Sequence, residues 1–249
     1  MTLHSILQRI DKKLENPDLI GKLVLRITND AELSRNVSEL VRYEGRSACL
    51  LDLYSETGKK PYLREAEKQH KNVLDSLTHS EQEELGEIEE RVRQYFVFEK
   101  ILKSRILDRE QITEKEIIEY IKRKSADTYC YAWILRNFVS VDETVDELLH
   151  IRQSLADISN DLKDYEDDLM QNQPNILVLY FIHTGQLPET KLRAIEYAIK
   201  TGVSEKIQRL ADTLLGDADK LRVREYPELS KAIAKEHQEI ELILAKRTD

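Results

Sequence analysis

Apolar residues recur at three- and four-residue intervals along most of this chain, and strictly alternating runs are few. That period belongs to amphipathic helices whose apolar stripe faces a core. The spacing predicts helices near 2–15, 18–28, 31–57, 62–76, 80–107, 113–124 and 126–139, then a long one from about 141 to 171. Others follow up to Gly185 and over 188–200, 203–216 and 227–246. Punctuation agrees with the period. Asn16-Pro17, Gly58-Lys59-Lys60-Pro61 and Pro174 are stop signals, and Ser80 with Glu83 and Thr113 with Glu116 have capping-box spacing. No repeat of 30–45 residues emerges, and no Pro/Ser/Gly-rich linker divides the chain. The expectation is an all-α, single-domain helical bundle spanning residues 1–249.

Composition narrows this picture little but excludes several functions. A chain of 249 residues with 41% apolar positions is long enough for a full core, and only seven Gly and five Pro are available to break helices. The formal charge of −9 lacks a compensating basic stripe, which argues against a general nucleic-acid binder. Cys49 and Cys130 lie in apolar surroundings without a CxxC partner and read as small buried hydrophobes in a reducing compartment. Met1 to Ile10 shows no secretory signal, and the longest apolar run, Ile176 to Ile182, cannot span a bilayer, so a soluble cytoplasmic protein is expected. The histidines form no HExxH or HxH motif, and no phosphate-loop, dinucleotide or nucleophile-elbow motif occurs.

The chemistry concentrates in Asn160-Asp161-Leu162-Lys163-Asp164-Tyr165-Glu166-Asp167-Asp168, late in the long helix. Asn160, Asp164 and Asp168 stand at i, i+4 and i+8, a single stripe of hard oxygen donors suited to Mg²⁺. A helical wheel puts positions 157, 160, 161, 164 and 168 in one acidic arc, with Val145, Leu148, Ile151, Leu155, Ile158, Leu162, Tyr165 and Leu169 largely on the opposing side. A solvated amphipathic face would look similar. Yet five aspartates crowd into twelve residues with Lys163 as the one cation among them, so something positive is expected to offset them.

This segment resembles the second metal-binding motif of the class I terpenoid synthases, an all-helical superfamily that includes the isoprenyl diphosphate synthases and terpene synthases. The motif begins Asn-Asp, but Asp164 replaces its usual Ser or Thr and Asp168 its Glu. Asn160-Asp161-x-x-Asp164 is also a near miss to the DDxxD of isoprenyl diphosphate synthases. The resemblance implies a second acidic cluster on a facing helix. Asp52 and Glu56 resemble the DxxxD first motif of squalene and phytoene synthases, on a helix that looks apolar nearly all round. Gly45, Ala48 and Cys49 would leave room above them for a cavity wall.

The family resemblance implies Mg²⁺ held by Asp52, Glu56, Asn160, Asp161, Asp164 and Asp168, with basic groups on the diphosphate. Arg42 and Arg46 lie above Asp52 on its helix, and Arg224 with Tyr226 is similar to the late Arg-Tyr pair of terpene cyclases. Arg136, on an otherwise small and apolar helix, is the candidate catalytic cation, expected to be buried against an anion. Aromatic residues make up 6% of the chain, which fits prenyl transfer or simple ionisation better than elaborate cyclisation. The implied function is Mg²⁺-dependent ionisation or transfer of a prenyl diphosphate, with no nucleic-acid partner, no transmembrane segment and a homodimer as an option. Two alternatives stay open. One is a non-catalytic helical adaptor or degenerate relative. The other is an all-α nucleotide pyrophosphohydrolase using Glu83, Glu84, Glu87 and Glu90.

Overall fold

The structure, a computed structural model, describes residues 2–245, the side chain of Glu56 excepted. Twelve α-helices and one 3-10 turn account for most of these residues, and no strand occurs among them. The all-α expectation therefore holds. The chain forms two compact units, one made of the chain up to Glu90 and of Asp127–Asp146, the other of Arg91–Ala126 and the chain from Glu147. Two of the long helices, α5 (His79–Asp108) and α8 (Thr144–Met170), contain a boundary between units, which is why no linker composition marks it.

The first unit is organised around α3 (Ala31–Thr57), which packs against α1 (Leu3–Lys13), α2 (Asn16–Thr28), α4 (Lys60–Leu74) and α7 (Thr128–Phe138). Its buried positions Val37, Leu40, Val41, Glu44, Ser47 and Leu50 follow the three- and four-residue interval that points one stripe inward. Small residues set the crossings. A Cβ at Gly21 would meet that of Ser38 at 3.2 Å, and the Ser34 and Ser38 hydroxyls donate to the α2 carbonyls of Gly21 and Pro17.

The same logic overturns the cavity wall expected above Asp52. A Cβ at Gly45 would lie 3.0 Å from Leu14 Cδ2 and 3.3 Å from the Tyr131 hydroxyl, so the space is filled by Leu14, just past the end of α1, and by Tyr131 of α7. Farther along, Cys49 and Leu53 pack onto Ile6, Ile10, Leu50 and Ala66, while Leu51 and Asp52 are exposed. This end of α3 is amphipathic, with one face in a core and the other in solvent.

The second unit is organised around α8. Ile151, Leu155, Ile158, Leu162 and Tyr165 form its fully or nearly fully buried stripe. Side-chain contacts join it to α6 (Glu114–Lys124), the apolar α9 (Ile176–Thr184), α10 (Lys191–Thr201) and α12 (Pro227–Ala245), and the unit also holds the later part of α5 and α11 (Val203–Lys220), which packs on α10 and α12. A 3-10 turn, Val223–Glu225, lies between the last two. α8 is tied to α12 by a buried Arg152–Glu236 pair at 3.6 Å and by Lys163–Glu239 at 2.8 Å.

The caps show how well local chemistry predicted the ends. Thr113 and Glu116 form the expected capping box at α6. At α5 the reciprocal pair is Thr78 and Glu81, two residues before the expected Ser80 and Glu83: the Glu81 carboxylate accepts from the Thr78 amide and hydroxyl. Both pairs satisfy the spacing rule. Thr78 wins because Leu74–Leu77 closes into a turn that delivers the chain at that residue.

Candidate functional site

The Asp-rich segment does not present a single face. Asp157 and Asp161 are 7% and 1% exposed, Asp168 is half-buried, and Asn160 and Asp164 lie in solvent. The arc is wide enough that α6 and the turn before α9 cover one edge of it and leave the other open.

At the covered edge α6 supplies the expected cation. It ends in Tyr120-x-x-x-Lys124, one helical turn that places the phenol and the ammonium side by side, 2.9 Å apart. Lys124 Nζ lies 2.5 Å from Asp161 Oδ1, and the Tyr120 hydroxyl, 3.3 Å from Asp161 Oδ2, donates to the Pro174 carbonyl at 2.8 Å. The backbone N–H of Ile176 donates to Asp161 Oδ2 at 2.8 Å, so the carboxylate also closes the first turn of α9. Asn175 is the N-cap of α9, its Oδ1 accepting from Leu177 N–H. Its Nδ2 donates to the Asp161 carbonyl at 2.6 Å and to Asp168 Oδ2 at 2.8 Å.

Beside this group lies a second polar cluster. The Ser125 hydroxyl donates to Asp157 Oδ2 at 2.6 Å, Gln153 Nε2 donates to Asp157 Oδ1 at 2.9 Å, and Ser154 reaches Ser125 at 3.2 Å. Lys124 and Ser125, adjacent at the end of α6, thus each hold one buried aspartate of α8. The charges respond to burial. Desolvation pushes the Asp161 carboxyl up to about 6, against the opposing pull of Lys124 and the Ile176 N–H. Asp168 is raised for the same reason, with Asn175 opposing. Burial works against the Lys124 ammonium, but Asp161 and Asp157 outweigh it and hold its pKa above the ordinary lysine value.

The other predicted residues fall elsewhere. Asp52 is exposed on α3 in the first unit, and the Glu56 side chain lies outside the described residues. Arg42 and Arg46 are in that unit too, where Arg42 pairs with Asp18 at 3.1 Å and Arg46 grips both oxygens of Asp11 at 2.7 and 2.9 Å. Arg136 is corrected most clearly. It sits exposed in the last turn of α7 and pairs with Asp146 at 3.1 Å, because the helix face it occupies points away from the core. Arg224 is exposed in the 3-10 turn, and Tyr226 follows it half-buried. Glu83, Glu84, Glu87 and Glu90 are all exposed on α5.

Of the predicted metal ligands, then, Asn160, Asp161, Asp164 and Asp168 share α8 but divide between its covered and its open edge, and Asp161 is the one whose two oxygens are already engaged. Lys124, Ser125 and Asn175 are the participants that sequence reasoning missed. The Asn after Pro174 is a legible cap signal, whereas Lys124, a lysine at a helix C-terminus, carries no local sign of its buried partner. Comparison of the chain with protein-family models, curated proteins and solved structures returned no match.

Proposed function

We propose that the second unit carries a Mg²⁺-dependent site for a prenyl diphosphate, used to ionise or transfer the prenyl chain. The observation that carries this reading is the delivery of the Lys124 ammonium from α6 onto the acidic stripe of α8. A lysine three-quarters removed from solvent beside carboxylates whose ionisation is disfavoured by burial is the kind of arrangement that marks functional sites.

The donor set suits Mg²⁺ in part. Asn160, Asp164 and Asp168 supply three hard oxygens along one stripe, two of them open to solvent. Asp161 fits a different task, since Lys124 and the Ile176 amide occupy it: it positions the ammonium. When bound, Mg²⁺ would neutralise charge on the diphosphate as its bond to the allylic carbon breaks. Lys124 would take the place expected of Arg136, offering a fixed positive charge to the departing anion. Tyr120 and Asn175 would hold Lys124, Asp161 and Asp168 in register.

A second reading, a non-catalytic helical adaptor, is favoured by the full engagement of Asp161 and by the exposed, separately paired Arg136. Diphosphate release from C10, C15 and C20 allylic diphosphates with Mg²⁺, with and without isopentenyl diphosphate, separates the two. The enzymatic reading expects Mg²⁺-dependent release that falls at least about a hundredfold in Asp164→Ala, an exposed position whose loss leaves the fold intact. Absence of release from all three substrates would favour the adaptor.

A further inference from the structure

The first unit contains a group of metal-ligating side chains unrelated to the Asp-rich segment. Glu44 of α3, His70 of α4 and Glu89 of α5 converge so that one ligand atom from each lies within 4.8 Å of the others. Their side chains retain 11%, 26% and 21% of their exposure, and the Glu89 Oε1 atom is itself buried. His70 Nδ1 meets Glu44 Oε2 at 3.2 Å, and its Nε2 lies 3.3 Å from Glu89 Oε1.

The two contacts play different parts. A carboxylate on Nδ1–H fixes the tautomer and aim of an imidazole, leaving the Nε2 lone pair for a metal, the usual support for a ligating histidine. Two donors at about 2.0–2.2 Å from a shared ion stand roughly 3.0–3.5 Å apart in octahedral or tetrahedral geometry, and Nε2 and Glu89 Oε1 already have that separation. We propose that His70 and Glu89 bind a first-row divalent transition ion, with Glu44 as the positioning residue. One imidazole and a carboxylate suit Zn²⁺ or Co²⁺ better than Mg²⁺, which prefers oxygen alone.

The test uses the whole chain after chelator treatment, with Zn²⁺ titrated calorimetrically and Co²⁺ as an optical probe. Saturable binding of one Zn²⁺ per chain is expected, undisturbed by millimolar Mg²⁺. That Mg²⁺ arm keeps the outcome separate from the prenyl-diphosphate site, which can fail independently. Glu89→Gln and His70→Gln should each weaken binding more than a hundredfold, and Glu44→Gln by about 10- to 100-fold. Glu87→Gln, exposed on the same helix, should leave it unchanged. Circular dichroism of each variant without metal checks folding, and the near-isosteric Glu89→Gln carries the test if His70→Gln unfolds. Cys130 lies close enough for Glu44 and Glu89 to act on its thiol, so Cys130→Ser is included. Absence of saturable binding, equal affinity in Glu89→Gln, or a thiolate-to-cobalt charge-transfer band lost in Cys130→Ser would each overturn the assignment.

Discussion

Replacing Lys124 by Met keeps the stem of the side chain and removes its charge, leaving Asp161 buried without its ammonium. Removing one partner of a buried ion pair costs about 3–5 kcal/mol, because the other charge is left in a poor solvent. Two features place this site at the lower end. Lys124 retains 25% of its side-chain exposure, and Asp161 keeps the Ile176 N–H and the nearby Tyr120 hydroxyl. The expected loss at pH 7 is about 3 kcal/mol by urea denaturation followed by circular dichroism. A proton can relieve part of that loss. The Asp161 carboxyl already lies above its ordinary value in the folded protein, and losing the ammonium raises it further. The folded variant then holds a proton that the unfolded chain has released at neutral pH, so its stability rises as the pH falls. Its deficit against wild type should shrink by at most about 1.4 kcal/mol per pH unit, until the wild-type carboxyl itself titrates near 6. The double variant Lys124→Met/Asp161→Asn should regain at least half of the loss. A deficit below about 1 kcal/mol, the value of an exposed pair, or one that grows in acid would refute this reasoning.

Asp161→Asn isolates the same carboxyl. Its folded value near 6 exceeds its ordinary 3.8, so the folded wild type binds the extra proton between those pH values. The advantage of wild type over the variant should therefore increase on going from pH 7 to pH 4, by up to about 3 kcal/mol at 1.36 kcal/mol per unit. Parallel urea titrations at the two pH values check this, and an advantage that falls in acid would contradict it. Asn175→Ala removes an N-cap together with donors to the Asp161 carbonyl and Asp168. A loss of about 2–3 kcal/mol is expected, with faster amide exchange concentrated in the first turn of α9; uniform exchange would argue against the cap.

Helices were legible because each carries its own signal. The stripe of α8 from Ile151 to Tyr165 and the Thr113 cap of α6 depend on residues within one or two turns. What escaped depends on distant partners. Asp161 looked like Asp164 on a helical wheel, and only Lys124, 37 positions earlier, and the chain around Pro174 bury one and not the other. The crowding of aspartates did predict a compensating charge, and that charge proved to be an ammonium from α6. Arg136 was misjudged because the small and apolar residues around it belong to the buried face of α7, while Arg136 lies on the other. Glu44, His70 and Glu89 come from three helices and share no sequence spacing that could have joined them. The same holds for Gly45, whose missing side chain looked like open space and is filled by Leu14 and Tyr131.

Thermal melting with Mg²⁺ and inorganic diphosphate tests the proposed site most directly. A ligand that binds only the folded state at a hundred times its Kd adds about 2.7 kcal/mol, which corresponds to a rise of roughly 5–10 °C for a chain of this size. The account predicts that rise for the wild type with both ligands present. It predicts little rise with either alone, and its loss in Asp164→Ala without destabilisation of the unliganded variant. No rise in the wild type, or an undiminished rise in Asp164→Ala, would contradict it.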